Sequence, residues 1–197
     1  MAKTYKVNEI FYSIQGEGFW TGSPVVFIRF AWCNLKCSFC DTDFADSKEM
    51  DKHEILNAVS IYHPCKRIVL TGGEPSLQAD QSLLNLFRDQ GFKIHIETNG
   101  VNKLENPELY DWITVSPKTA DFMQRSGDEI KILFPFQNNA LNAGGIADIQ
   151  FKHHYIQPVS SDNEKNRNPY LYSAVEYVKQ NPKWKLSCQM HKFLGVK

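Results

Sequence analysis

The sequence lacks three features that would assign it to a broad class at once. It has no apolar run long enough to cross a bilayer, and its first residues lack the apolar core and cleavage site of a signal peptide. It also lacks a surplus of charge, since 22 Lys and Arg residues balance 22 Asp and Glu residues. We therefore expect a cytoplasmic protein with no membrane partner. We also expect no direct nucleic-acid partner, because proteins that grip a phosphate backbone usually carry a basic surplus.

The length of 197 residues and the apolar share of 42% suit one globular domain with a full core. We predict a single domain over residues 1–197. It would comprise an N-terminal segment (1–24), a core (25–159) and a C-terminal helix and tail (160–197).

Short β-branched runs alternate with helical patterns along the chain. Strands are predicted at 25–30, 67–71, 93–98, 113–116, 129–134 and 154–159, helices at 50–62, 80–90 and 168–181, and a strand or extended tail at 183–190. This alternation indicates parallel strands joined by right-handed crossovers. Because a complete eight-unit barrel needs about 250 residues, we expect an α/β fold of the partial (βα)6 type, with the helices outside.

Polar or glycine-rich stretches follow five of these strands. They are "CNLKCSFC" (33–40), "TGGEP" (71–75), "ETNG" (97–100), "SPK" (116–118) and "QPV" (157–159). In folds of this type, ligands gather at the carboxyl ends of the strands. The sequence therefore predicts one site at this edge of the sheet, although polar loops are common after any strand.

The first of these stretches carries Cys33, Cys37 and Cys40, spaced C-x3-C-x2-C. A structural zinc site usually takes four ligands, commonly as two pairs. Cys65 and Cys188 are isolated in the sequence and do not form a second pair, so zinc is possible but disfavoured. A 4Fe–4S cluster usually has four thiolate ligands, and three would leave one iron open to an exchangeable ligand. The spacing therefore favours a cluster, with a zinc-binding module as the alternative outside catalysis.

The C-x3-C-x2-C motif after a first core strand, with Phe39 before the last cysteine, resembles radical S-adenosylmethionine (SAM) enzymes. "TGGEP" is similar to the second motif of that superfamily. The stretch "FYSIQGEGFWTGSPVVFIRFAWCNLKCSFCDTDFA", together with "ETNG", "SPK", "IQPV" and "CQMHKFLGV", resembles the 7-carboxy-7-deazaguanine synthase family over nearly the whole chain.

The resemblance implies an enzyme, a lyase that contracts the ring of 6-carboxy-5,6,7,8-tetrahydropterin to 7-carboxy-7-deazaguanine with loss of ammonia, on the path to queuosine and related deazapurines. The implied cofactors are a 4Fe–4S cluster with three cysteine ligands, SAM and Mg²⁺. The implied partners are the pterin, a flavodoxin-type reductant and a second copy of the chain in a homodimer. A glycyl-radical activating enzyme is the alternative within radical chemistry.

The resemblance also implies a role for individual residues. The cluster ligands would be Cys33, Cys37 and Cys40. SAM would contact Phe39, Cys40, Asp41, Gly73, Glu74, Ser116, Pro117, Lys118, Gln157 and Pro158. The pterin would contact Ile14, Gln15, Gly16, Glu17, Arg29, Thr71, His191 and Lys197, and Thr42 would be a ligand of Mg²⁺.

Several of these roles have a structural alternative. Arg29 lies within an apolar strand, where it needs a carboxylate from the substrate or an ion pair with Glu17 or Asp41. Glu74 could accept from the methionine amine of SAM or cap the following helix. The glycines of "TGGEP" are expected where the backbone approaches a ligand closely.

Overall fold

A computed structural model of the protein describes residues 3–40, 46–136, 141, 146–159 and 169–197. The chain forms two compact units. The first comprises Met1–Gln15, Ser23–Thr98 and Leu104–Ile113, and the second comprises Gly16–Gly22, Asn99–Lys103 and Thr114–Lys197. The single domain expected over residues 1–197 stays a prediction.

The first unit contains strands β1 to β5 and helices α1 and α2. Their bounds are β1 (Thr4–Ile14), β2 (Pro24–Phe30), β3 (Lys48–Asp51), α1 (Lys52–Ser60), β4 (Arg67–Gly72), α2 (Gln81–Asp89) and β5 (Lys93–Thr98). These strands lie in the order β3-β1-β2-β4-β5. Strands β2, β4 and β5 are parallel, whereas β1 runs antiparallel to both β2 and β3.

The two faces of the parallel strands differ in chemistry. Ile28, Leu70 and Ile96 occupy paired positions and are fully buried. Because side chains alternate along a strand, their neighbours in sequence point to the opposite face. That face carries Arg29 and Thr71, which are paired in register, and Glu97 of β5 belongs to it by the same alternation. The first face is apolar and buried. The second face carries residues expected to contact the pterin at its carboxyl end, and the fully buried Val25 and Val69 nearer its amino end.

Both helices of the first unit are capped by an aspartate, and α1 begins two residues later than the predicted helix 50–62. Asp51 caps α1 by accepting from the backbone N–H groups of His53 and Glu54. Asp80 caps α2 by accepting from the N–H of Leu83, as the sequence predicts. These caps satisfy N–H groups that the first helical turn leaves unpaired.

The second unit is built on parallel strands. It contains β7 (Ser126–Phe134), β8 (Gln150–Pro158), α3 (Pro169–Gln180), β9 (Lys185–Leu186), α4 (Met190–Leu194) and a 3₁₀ helix at Gly18–Trp20. Strand β6 (Trp112–Val115) pairs with β7 through its last two residues. β7, β8 and β9 then pair in sequence.

The same two-faced pattern recurs in the second unit. Ile130, Ile132 and Ile156 are buried on one face. The other face of β7 carries Glu129 and Lys131, which are 2% and 4% exposed. Two buried charged side chains thus lie next to each other on the same face of β7. Each needs a polar or charged partner, because an uncompensated buried charge is costly.

The structure differs from the sequence prediction at both ends of the chain. The eleven-residue strand β1 was not predicted, and neither was β3, whose residues partly fall in the predicted helix 50–62. The tail ends in the short helix α4 rather than continuing as a strand. Between β5 and β6, by contrast, the short helix expected to begin at Pro107 is present as the 3₁₀ helix Pro107–Leu109. Among the described residues, no helix has the length and apolarity needed to cross a membrane.

Candidate active site

The cysteine loop leaves the end of β2 and folds back on itself. Cys33 and Cys37 are half-buried and Cys40 is exposed. The backbone N–H of Cys40 donates to the carbonyl of Cys37 at 3.2 Å, and the N–H of Leu35 donates to Sγ of Cys33 at 3.4 Å. An N–H directed at a sulfur is a hydrogen bond that a metal-bound thiolate also accepts.

This donor set fits an iron–sulfur cluster. The three cysteines share one partly exposed loop, and none of the five cysteines is disulfide-bonded. In the part of the chain that the structure describes, no three His, Cys, Asp or Glu side chains are arranged around one metal ion. The three thiolate ligands of a 4Fe–4S cluster need not surround a single metal ion, because each binds a different iron of the cluster. Asp41 and Thr42, predicted to contact SAM and Mg²⁺, lie outside the described residues.

The "TGGEP" loop is hydrogen-bonded to the start of the cysteine loop. The N–H of Gly73 donates to the carbonyl of Phe30 at 3.0 Å, and the N–H of Glu74 donates to the carbonyl of Trp32 at 2.7 Å. A Cβ atom on Gly72 would lie 2.1 Å from the Phe30 oxygen, and one on Gly73 would lie 1.8 Å from the Trp32 oxygen. The glycines are therefore required by close approach to neighbouring backbone, a reason different from the ligand contact expected from the sequence.

Glu74 has the capping role that the sequence offered as an alternative. Its Oε1 accepts from the N–H of Ser76 at 3.0 Å, at the start of a 3₁₀ helix. The same oxygen accepts from the hydroxyl of Thr98 at 2.7 Å, and the Glu74 side chain is fully buried. Contact of Glu74 with the methionine amine stays a prediction.

Arg29 forms an ion pair, although with a different carboxylate from those expected. Its Nε lies 3.0 Å from Oε1 of Glu9 on β1, and its guanidinium lies 5.7 Å from the centre of the Phe11 ring. The sequence suggested Glu17 or Asp41 as the protein partner. Glu9 could not be anticipated because β1, and therefore its antiparallel register with β2, was not predicted. Binding of a substrate carboxylate by Arg29 stays a prediction.

Gln15 is fixed by two contacts at the end of β1. Its side-chain Nε2 donates to Oε1 of Glu97 at 3.2 Å, and its backbone N–H donates to the carbonyl of Ser23 at 2.8 Å. Glu97 opens the "ETNG" stretch, for which no specific role is predicted from the sequence. It holds the amide of a residue expected to bind the pterin, and it lies on the same sheet face as Arg29 and Thr71.

In the second unit, the loop at 16–22 meets the C-terminal segment at 187–191. A Cβ atom on Gly16 would lie 2.0 Å from Nδ1 of His191, so the imidazole lies directly against the glycine. The N–H of Met190 donates to the carbonyl of Gly16 at 2.9 Å. Gly16 and His191, which are far apart in sequence and both expected to contact the pterin, are therefore neighbours.

Glu17 lies in the same loop and forms an ion pair with Lys131. Its carboxylate also accepts from Nε2 of Gln189 at 3.0 Å. Burial alone would raise the pKa of the Glu17 carboxyl. The charge of Lys131 and hydrogen bonds from Lys131, Gln189 and Gln157 outweigh this effect and lower the pKa to about 2. Glu17 is thus held as a carboxylate.

The remaining predicted SAM residues of the second unit lie at strand ends. Gln157, at the end of β8, is buried and accepts from the hydroxyl of Ser187 at 2.8 Å. The ammonium of Lys118 donates to the hydroxyl of Ser116 at 2.6 Å, just after β6. Pro117 and Pro158 are buried. Among the other predicted site residues, Phe39 and Ile14 of the first unit are half-buried, and Lys197, the last residue of the chain, is exposed. The contacts of these residues with SAM or the pterin stay predictions.

Comparison with known proteins identifies the family. Residues 27–131 match the Radical SAM superfamily. The chain is 42% identical over 193 residues to the 7-carboxy-7-deazaguanine synthase of Bacteroides thetaiotaomicron, covering 98% of each chain. The chain belongs to the 7-carboxy-7-deazaguanine synthase family of radical SAM enzymes. The protein of the same name from Bordetella pertussis is 38% identical over 214 residues, covering 98% of this chain and 99% of that one.

A solved structure of the family shares the fold. The crystal structure of QueE from Escherichia coli superposes with a TM-score of 0.76 at 25% identity, covering 95% of both chains. This match confirms the predicted partial-barrel α/β fold, and the sequence matches confirm the resemblance. Membership of the radical SAM superfamily implies a 4Fe–4S cluster and SAM. The matches to 7-carboxy-7-deazaguanine synthases favour neither the glycyl-radical activating enzyme nor the zinc-binding module as an alternative.

Proposed function

We propose that this protein converts 6-carboxy-5,6,7,8-tetrahydropterin to 7-carboxy-7-deazaguanine with loss of ammonia, in the biosynthesis of queuosine or related deazapurines. The observation that carries the proposal is the 42% identity over 98% of both chains to a relative named 7-carboxy-7-deazaguanine synthase. The cysteine loop and the "TGGEP" loop, joined through backbone hydrogen bonds, support it from the structure.

Cys33, Cys37 and Cys40 would hold the cluster through their thiolates, helped by the N–H that Leu35 directs at Cys33. When bound, the cluster and SAM supply the carbon radical that starts the rearrangement. The proposed SAM contacts are Phe39, Cys40, Asp41, Gly73, Glu74, Ser116, Pro117, Lys118, Gln157 and Pro158. The short backbone contacts of Gly73 and Glu74 keep the "TGGEP" loop against the loop that would carry the cluster.

The pterin would be bound by both ends of the chain. The proposed contacts are Ile14, Gln15, Gly16, Glu17, Arg29, Thr71, His191 and Lys197. Arg29 carries the charged N–H donors that match a carboxylate, and the Gln15 amide offers a donor and an acceptor to a pterin edge. Because Glu97 fixes the Gln15 amide, that pairing would be oriented before the substrate arrives.

The proposal also includes a metal ion, a reductant and a second copy of the chain. Thr42 would be a ligand of Mg²⁺, which would polarise the substrate carboxylate. A flavodoxin-type protein would supply the electron, and the enzyme would act as a homodimer in the cytoplasm.

An anaerobic assay tests the proposal directly. The cluster-reconstituted protein is incubated with SAM, a reductant and carboxytetrahydropterin, with and without Mg²⁺, and the deazaguanine product is measured by mass spectrometry. We expect turnover without RNA, and we expect Cys37→Ala to abolish SAM cleavage. Cys65→Ala is the matched control, because Cys65 lies after α1, outside the cluster motif, and should retain activity. Full activity of the Cys37 variant, or four-coordinate zinc bound in place of the cluster, would contradict the proposal.

A further inference from the structure

Lys131 is a buried cation that neither the sequence motifs nor the proposed reaction accounts for. It lies near the middle of β7, and its side chain is 5% exposed. A buried ammonium is costly unless a carboxylate compensates its charge. Its partner is Glu17, whose side chain is 17% exposed, so the ion pair lies largely out of solvent.

The Glu17 carboxylate joins three parts of the second unit. Glu17 itself belongs to the loop at 16–22. Its Oε2 meets Lys131 of β7, and its Oε1 accepts from Nε2 of Gln189 in the C-terminal segment. A single carboxylate thus connects the loop, the sheet and the tail, and its two oxygens are used for different partners.

The loop and the tail meet at further points around this carboxylate. The N–H of Gly18 donates to the hydroxyl of Ser187 at 3.0 Å, and the N–H of Met190 donates to the carbonyl of Gly16 at 2.9 Å. These contacts bring the His191 imidazole against Gly16. Both hydrogen bonds and the contact between Gly16 and His191 therefore depend on the position of residues 16–18.

A second charged residue of β7 holds the same loop. Oε2 of Glu129 accepts from the N–H of Phe19 at 2.8 Å, and Glu129 lies two residues before Lys131 on the same strand face. β7 therefore binds the loop at Glu17 through a cation and at Phe19 through an anion. This alternation fixes the direction of the loop along the strand as well as its distance from it.

We infer that Lys131 is a positioning residue that acts through Glu17. Its ammonium fixes the carboxylate to which Gln189 is bound, and so it sets the loop at 16–22 and the segment at 187–191 as one unit with Gly16 against His191. The consequence for pterin binding rests on the proposed function, whereas the coupling between loop and tail does not.

Amide hydrogen exchange on the reconstituted, oxygen-protected protein tests the coupling without turnover. The variants are Lys131→Met, Glu17→Gln and the double variant, and the matched control is Lys152→Met. The control removes an ion pair of the same type, Lys152–Asp128, whose lysine is 73% exposed. We expect Lys131→Met to speed exchange in peptides 16–22 and 187–191 about tenfold or more, because it leaves a largely buried carboxylate uncompensated. The control and the cysteine-loop peptide should be unchanged.

The separate effects of a substitution on KM and kcat distinguish a positioning role of Lys131 from a purely structural one. In Lys131→Met the KM for the pterin should rise about tenfold while kcat changes by roughly twofold at most, because the change affects groups that hold the substrate. In Lys152→Met both constants should match those of the wild type.

The double variant keeps the inference testable if Lys131→Met folds poorly. If Lys131 acts through Glu17, removing both charges should disturb exchange less than Lys131→Met alone. Exchange is the readout for this comparison, because Glu17 is itself a proposed pterin contact and its substitution affects KM directly. Unchanged exchange in Lys131→Met, additive effects on exchange in the double variant, or a double variant as unstable as Lys131→Met would each overturn it. If the wild-type protein does not turn over the pterin, the proposed function fails, yet the exchange data still decide the role of Lys131.

Discussion

The hydroxyl of Thr98 donates a 2.7 Å hydrogen bond to Oε1 of Glu74, and both side chains are buried. Thr98 ends β5, and Glu74 lies in the loop after β4. The bond therefore joins "TGGEP" to "ETNG", two stretches that the sequence assigned to the same edge of the sheet. Because the backbone N–H of Glu74 also donates to the Trp32 carbonyl, Glu74 connects the carboxyl ends of the parallel strands β2, β4 and β5.

Removing the Thr98 hydroxyl should destabilise this junction. Thr98→Val keeps the shape of the side chain but leaves Oε1 of Glu74 without one of its donors. We expect the free energy of unfolding to fall by about 1 kcal/mol, the usual net contribution of one hydrogen bond, because the N–H of Ser76 still donates to the same oxygen. Urea denaturation of Thr98→Val and Thr98→Ser measures it, since serine retains the hydroxyl. Equal stability of the valine variant and the wild type would show that the bond contributes nothing.

A methyl group at position 73 should disrupt the contact between the two loops. In Gly73→Ala the new Cβ would lie 1.8 Å from the Trp32 oxygen, so the backbone must move. We expect a loss of SAM affinity together with a loss of stability. Gly91→Ala is the control: Gly91 has a φ of +73° but open space around it, so only backbone strain of about 1–2 kcal/mol should result. Equilibrium binding of SAM by both variants decides the matter, and wild-type affinity in Gly73→Ala would refute the prediction.

Periodicity predicted the parallel core well and the antiparallel edge poorly. The strand expected at 93–98 is β5, and Asp80 caps α2 as expected. Strand β1 was missed although it has eleven residues, because its "TYKVNEIFYSI" mixes polar and apolar residues without strict alternation. A register shift between Val7 and Glu9 breaks the two-residue period within it. An irregular strand of this kind is defined by its pairing with β2 and β3 rather than by its own pattern.

The sequence identified site residues that lie in motifs and missed the residues that hold them. Gly16 and His191 were both expected near the pterin, and they are neighbours in the structure. Glu97 and Lys131 were missed because their partners, Gln15 and Glu17, are more than 80 residues away in the chain. One signal was available for Lys131: a lysine flanked by isoleucines within a predicted strand, which requires a buried partner.

Glu17 should make stability depend on pH in a narrow acidic range. Its pKa in the folded protein, about 2, lies below the ordinary value of 4.5. Its contribution is therefore fully present above about pH 4.5 and is lost as the pH falls towards 2. The lowered pKa corresponds to a contribution of about 3 kcal/mol at neutral pH.

Glu17→Gln provides the comparison, because contributions common to both proteins cancel at each pH. The difference in unfolding free energy between wild type and variant should stay constant from about pH 7 to about pH 5 and shrink below that range. Urea titrations across this range measure it. A difference that already changes near neutrality would mean that another group is responsible.

Arg29 should separate pterin binding from the chemistry of the cluster. Arg29→Ala removes a half-buried guanidinium from the sheet face that also carries Thr71, while the cysteine loop remains. Because a charge-assisted hydrogen bond contributes about 1.5–3 kcal/mol, we expect pterin affinity to fall about 10- to 100-fold. Iron content and SAM cleavage in the absence of pterin should stay at wild-type levels. Glu9→Gln is the matched control, since it removes the charge of the Arg29 partner and keeps the guanidinium. It should weaken pterin binding far less; an equal loss in both variants would mean that the ion pair shapes the sheet and that Arg29 does not bind the substrate.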